Sequence, residues 1–143
     1  MSEFGTKQMQ DLLSGAFAPW VKDLNINVTS LSGEGAMFTL PASATLVRGG
    51  GAGPQVVCGQ ALAAAADTAS VLTLSGLNGR FRNCTTVDMT CHFMRPLMLA
   101  DVDMSITALS NGRRMAVTRT EFRARDNTKI AATATCTFAY LED

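Results

Sequence analysis

The sequence predicts an α+β domain in which an antiparallel sheet wraps around one long apolar helix. Three observations carry that prediction. Gly59 to Ser75 is a run rich in alanine and leucine, and Asp67 is the only charged residue between Arg48 and Arg80. A helix that is apolar all round is buried on most sides, so the rest of the chain has to supply its walls. After that run, apolar and polar residues alternate in segments bounded by turn signals, the pattern of half-buried strands. A run of strands after a helix packs as α+β rather than as a parallel α/β sheet.

The elements follow in order. Over Thr6 to Lys22, Met9, Leu12, Leu13, Phe17, Trp20 and Val21 fall near helical spacing, with Pro19 expected to end or kink the segment. Residues 1–24 are therefore an N-terminal helical segment of a single domain. From Ile26 the period shortens, and two runs separated by Gly33-Glu34-Gly35 read as a β-hairpin ending at Pro41. Pro41 to Gln55 is a long loop. Its glycines lack a following Gly-Lys-Ser/Thr, and Pro54 breaks the dinucleotide spacing, which argues against a phosphate-binding loop.

On the central helix, 3.6 residues per turn put Ala63, Asp67, Ser70, Val71 and Leu74 on one stripe. Leu62, Ala66, Ala69 and Thr73 fall on the opposite one. A turn at Leu77 to Arg80 leads to three or four long antiparallel strands. In the first, Val87, Met89, Cys91 and Phe93 alternate with Thr86, Asp88, Thr90 and His92. Val102 to Ala108 comes next, then an Asn111-Gly112 hairpin turn and Ala116 to Ala124. The last strand, Ile130 to Leu141, follows a turn at Asp126-Asn127.

Composition narrows the function. Twelve Lys and Arg balance twelve Asp and Glu, which argues against nucleic acid as a partner. Four cysteines without a C-x-x-C pair, and one histidine, give no zinc pattern. No uncharged apolar run reaches membrane-spanning length, because Asp67 interrupts the best one. The expectation is a soluble, reduced, cytoplasmic protein that binds neither nucleic acid nor membrane.

Three patches then resemble the hotdog-fold thioesterases, specifically the phenylacetyl-CoA thioesterase-like branch. Cys58-Gly59-Gln60 followed by Ala66-Asp67-Thr68-Ala69 is similar to that branch's His-Gly-Gly…Asp helix. Thr86-Val87-Asp88-Met89-Thr90 through Phe93-Met94-Arg95-Pro96 is similar to its post-helix strand, and Ala131 to Phe138 to its last strand. The likeness covers roughly residues 26 to 141. It implies an acyl-CoA or aryl-CoA thioesterase without metal or redox cofactor, coenzyme A being part of the substrate.

By the same resemblance, Asp67 matches the catalytic carboxylate and Gly59 the glycine whose backbone N–H polarises the thioester carbonyl. Thr86 matches a Ser/Thr position contributed by the partner subunit. The family's histidine is replaced by Cys58 and its second glycine by Gln60, while its loop asparagine falls at Ala52. Gln55 and Gln60 are the amides near enough in sequence to substitute. Gln55, Cys58, Ala63, Ser70 and Arg95 are the expected substrate contacts, and Arg80 and Arg82 are further candidates for the phosphates of coenzyme A.

If Asp67 and Gly59 both act, the spacing has a consequence of its own. Eight residues separate them, roughly 12 Å along one helix axis. One substrate carbonyl then needs Gly59 of one chain and Asp67 of another, so a homodimer is the minimal active unit and a tetramer is compatible with it. Asp67 either activates water or attacks directly. Two other readings use the same scaffold: an enoyl-thioester hydratase or dehydratase, and a non-catalytic acyl-CoA-binding module. A Cys58–His92 dyad is the weaker account of those two residues, which read as an ordinary thiol and a strand histidine.

Overall fold

A computed structural model describes residues 4–49 and 55–142. Helix α1 spans Thr6–Leu12 and helix α2 spans Gly59–Asn78. The strands are β1 (Asn27–Leu31), β2 (Gly35–Leu40), β3 (Cys84–Phe93), β4 (Val102–Asn111), β5 (Met115–Ala124) and β6 (Ala132–Tyr140). All six form one antiparallel sheet in the order β1-β2-β4-β5-β6-β3, which leaves β1 and β3 at its edges.

The sheet closes around α2. Twelve of that helix's residues are buried, among them Ala65, Ala66, Ala69 and Leu72, which have no exposure at all. They meet the inner face of the sheet at Phe38, Met104, Ile106, Phe122 and Phe138, each 1 % exposed or less. Alanine on the helix opposite large side chains on the strands is how a flat sheet and a round helix reach native packing density. The expected α+β layering is what the chain adopts.

Two glycines permit close approaches. A Cβ on Gly35 would stand 2.0 Å from the Ile106 carbonyl oxygen, so only glycine lets β2 lie this close to β4. A Cβ on Gly76 would stand 2.7 Å from the Met9 sulfur, where α1 crosses the end of α2. Gly79 ends α2 in the left-handed conformation (φ 71°), three residues beyond the Ser75 end expected from sequence.

The N-terminal segment is a short helix followed by a turn, but the helix ends well before Pro19: α1 stops at Leu12, and a separate 3-10 helix runs from Pro19 to Leu24. Pro19 begins that second helix rather than ending the first, because its fixed φ and missing N–H suit a first helical position. The loop after β2 carries a short 3-10 turn at Ala44–Leu46 and two single bridges, Val47 to Val57 and Val56 to Met98. Ala52 lies outside the described residues.

Candidate active site

The start of α2 is an open set of donors. Cys58 occupies the N-cap position with extended backbone, and its thiol makes no cap hydrogen bond. The first α-helical bond is from the Leu62 N–H to the Cys58 carbonyl, so the N–H groups of Gly59, Gln60 and Ala61 have no partner among the described residues. The Cys58 N–H donates to the Leu46 carbonyl at 2.8 Å and the Val57 N–H to the Leu97 carbonyl at 2.8 Å, which pins this terminus between two loops.

Beside it is a pocket of about 350 Å³ lined by Arg48, Val57, Gly59, Leu62, Phe93 and Arg95, among others. The Phe93 ring lies against Gly59, where an added Cβ would stand 3.2 Å from the ring. Gly59 thus lines the pocket, and its bare Cα admits the aromatic wall. Arg48, Leu62 and Phe93 come from three separate segments, and no sequence spacing joins them. The only signal for Phe93 was its place in the apolar run before Arg95-Pro96.

Asp67 lies two turns further on, half-buried, and accepts a 2.6 Å hydrogen bond on Oδ1 from the Thr86 hydroxyl. Both residues belong to the same chain. A β-bulge makes the contact possible. On β3, Met89 pairs with Cys136 and Asp88 with Thr137, but the next pair is Thr86 with Phe138, leaving Val87 as the extra residue. Strict alternation would put Thr86 on the face opposite Met89, Cys91 and Phe93. The inserted Val87 returns Thr86 to the inner face, beside α2.

The other expected contacts separate. Ala63 is half-buried on the same open strip of α2 as Asp67, together with Ala64 and Val71. Ser70 does not share it: it is fully buried and hydrogen-bonds the Thr118 hydroxyl on β5 at 2.7 Å, so it faces the sheet and not a substrate. Leu74, on the stripe expected with Asp67, is buried too. The open strip is narrower than the sequence stripe because the sheet wraps further around the helix.

The Gln60 side chain is exposed and lines a different pocket, of about 560 Å³, with Trp20, Asp23, Ser43 and Leu46. Only its backbone N–H belongs to the donor set at Gly59. Gln55 is exposed and uses its carbonyl to accept from the Leu99 N–H at 3.1 Å. Arg95 lines the Gly59 pocket, whereas Arg80 and Arg82 lie in a separate groove at the far end of α2. His92 is exposed on β3 opposite Thr133.

Two thiols lie near the carboxylate. Burial pushes the Cys136 thiol up to about 11; the Asp67 charge adds to the rise, while hydrogen bonds with Ser70 and Thr118 oppose it. Burial also raises Cys84, again with Asp67 adding and Arg82 opposing. Both are thus held protonated at neutral pH and are poor nucleophiles. Among the described residues, no three His, Cys, Asp or Glu side chains converge where a metal ion could sit. No helix among them is long and apolar enough to cross a membrane.

Known structures share this fold. The protein is similar to thioesterase HI1161 from Haemophilus influenzae, with 20% identity, a TM-score of 0.82, and 99% of this chain and 93% of that chain covered. It is similar to a variant of thioesterase PA1618 from Pseudomonas aeruginosa, with 15% identity, a TM-score of 0.79, and 96% and 94% covered. It is also similar to the conserved protein PA5202 from Pseudomonas aeruginosa, with 28% identity, a TM-score of 0.75, and 87% and 95% covered. No curated protein matches the sequence. Residues 50–139, which hold the helix start, Asp67, Thr86 and strands β3 to β5, match the acyl-CoA thioesterase N-terminal domain family. With that match and a sheet closed around a single apolar helix, the chain belongs to the acyl-CoA thioesterase N-terminal domain family and has the hotdog fold.

Proposed function

We propose that the protein hydrolyses acyl- or aryl-CoA thioesters as a homodimer with two equivalent composite sites. The observation that carries this reading is the Asp67–Thr86 hydrogen bond on the open strip of α2. It pairs a carboxylate with a hydroxyl at a half-open position, two turns from a helix terminus whose amides lack partners. The two centres cannot meet on one chain, since about 12 Å of helix separates them. An antiparallel second copy would bring each Asp67 to the other chain's Gly59.

The β3 edge supports such a pairing. Its outer side has no strand neighbour, and Val87 and Phe93 on it are 55% and 54% exposed. Natural proteins cover or blunt an edge of this kind, and a second copy of β3 would cover it.

In the proposed reaction, the thioester carbonyl oxygen accepts from the free amides at Gly59 and Gln60, where the helix dipole also favours negative charge. Thr86 donates to Oδ1 of Asp67, which leaves Oδ2 to act. As a general base, Oδ2 takes a proton from water while the water oxygen bonds to the carbonyl carbon. The tetrahedral intermediate then expels the thiolate, which takes up a proton to leave as the thiol. As a nucleophile, Oδ2 itself bonds to the carbonyl carbon, the thiolate leaves, and water hydrolyses the resulting anhydride. Single turnover in ¹⁸O-water separates the two routes: label enters Asp67 only by the second.

The test is release of free thiol from a panel of acyl- and aryl-CoA esters, with Asp67→Asn and Asp67→Ala beside wild type. Loss of a general base costs about 10²–10⁴-fold in rate. Turnover that survives both substitutions removes the mechanism. Tight binding of the esters without turnover by wild type would mark a binding module instead. Sedimentation at micromolar concentration should give a dimer or larger species, and a monomer would count against the composite site.

A further inference from the structure

A second charged concavity lies away from the carboxylate, at the far end of α2. It is a groove of about 860 Å³ lined by Arg80, Arg82, Arg113, Arg114, Met115, Ala139, Tyr140 and Glu142. Four arginines against one carboxylate stand out in a chain whose formal net charge is zero. The size falls within the range of small-molecule sites, about 300–1,000 Å³.

The groove is built rather than incidental. Arg82 stacks over the Tyr140 ring, 3.5 Å from its centroid. It donates to the Gly112 carbonyl at 3.3 Å and the Arg113 carbonyl at 2.7 Å, so it is fixed to the β4–β5 turn. The Tyr140 hydroxyl donates to Asn111 Oδ1 at 2.6 Å and accepts from Asn78 Nδ2 at 3.0 Å, tying the end of α2 to β4 and β6. Arg80 holds the Glu142 carboxylate with two parallel bonds of 3.1 and 3.0 Å, and Arg82 holds the same carboxylate. Arg113 and Arg114 have no ion-pair partner among the described residues.

We propose that this groove binds the phosphates of a nucleotide, with Glu142 as the resident anion that the ligand displaces from Arg80 and Arg82. Paired arginine forks match phosphate oxygens as they match a carboxylate. An exposed ion pair such as Arg80–Glu142 holds weakly, so a more highly charged anion competes well. Met115 and Ala139 give the groove an apolar floor for a base or ribose, which a site for bare phosphate would not need.

Two sources share this chemistry: the nucleotide end of a CoA ester, and a free nucleotide. The first rests on the hydrolase reading above, and the second does not. Arg82 is four residues from Thr86 along the chain, at most about 14 Å, so a CoA arm leading away from Asp67 would have this groove within reach.

The experiment is calorimetric titration of the full chain with adenosine 3′,5′-bisphosphate and with CoA. Wild type is compared with Arg113→Ala/Arg114→Ala, Glu142→Gln and, as a control, Arg119→Ala, whose partner is Glu121. The expected result is binding of both ligands by wild type, at least tenfold weaker in the double variant, several-fold tighter in Glu142→Gln and unchanged in the control. If the nucleotide belongs to the substrate, the double variant also raises KM for CoA esters at unchanged kcat; if it is a free ligand, KM stays where it was. Absence of binding by wild type, or equal affinity in the double variant, overturns the site. Equal affinity in Glu142→Gln overturns the displacement. The calorimetric readings require no turnover, so the site stands or fails apart from the hydrolase proposal.

Discussion

Asp67 and Ser70 sit three residues apart on α2, and each hydrogen-bonds a threonine hydroxyl on the sheet, at 2.6 and 2.7 Å. The local chemistry is nearly the same, but the surroundings are opposite. Thr118 lies on β5, flanked by β4 and β6, and neither it nor Ser70 has any exposure. Thr86 lies on the edge strand and is exposed. Thr118 has no alternative partner in water, so the inner pair is a cost of burying polar atoms that the hydrogen bond offsets. The outer pair can exchange with water or substrate, so its hydrogen bond orients a carboxylate. Position in the sheet, rather than residue type, separates the two pairs.

Substitutions at the outer pair should act on rate and leave the fold alone. Thr86→Val removes the hydrogen bond that orients the Asp67 carboxylate, and a misplaced catalytic group should lower turnover by about 10- to 100-fold. Thr86→Ser should keep most of the rate, and thermal unfolding of both variants should match wild type. Thiol-release kinetics and melting curves on the same samples check this. A Thr86→Val variant that loses stability but not rate would make the outer pair structural, like the inner one.

The inner pair should behave the other way. Ser70→Ala takes from the buried Thr118 hydroxyl its 2.7 Å partner and leaves it only the weak Cys136 thiol, which costs about 1–3 kcal/mol and lowers the melting temperature by about 3–10 °C. Adding Thr118→Val should recover part of the loss, because two removed partners leave nothing unsatisfied. One rung along β5, the buried Thr120 hydroxyl has no hydrogen-bond partner among the described residues. Thr120→Val keeps the shape and should raise stability by about 1 kcal/mol.

The helix and sheet were legible because they rest on period. Alternation in the last strand, and a single charge in an apolar run, each have one packing solution. The Thr86–Asp67 contact was not, because it depends on the Val87 bulge, which is a property of strand pairing and not of either strand. By alternation alone Thr86 points outward; only the family resemblance placed it at the site. Ser70 failed for a related reason: the sequence stripe gives the helix faces, but how far the sheet curls around decides which of them stays open. Gln60 and Gly59 are neighbours in sequence and line different pockets because a helix turns about 100° per residue.

Cys136 lies beneath both pairs, and its effect is confined to alkaline pH. Its thiol is fully buried, and burial, aided by the Asp67 charge, raises it from the ordinary value of 9.0 to about 11. A raised value means that the folded state keeps its proton more tightly than the unfolded chain does. The associated stability is complete below pH 9 and is lost between pH 9 and about 11, as the unfolded chain ionises and the folded one does not. The slope should approach about 1.4 kcal/mol per pH unit for this one group. Denaturant titrations across that window, with Cys136→Ala as reference, should show the extra slope in wild type only. Asp67→Asn removes the lesser cause and keeps burial, so it should narrow the window from its upper end, whereas Ser70→Ala, which takes away an opposing hydrogen bond, should extend it.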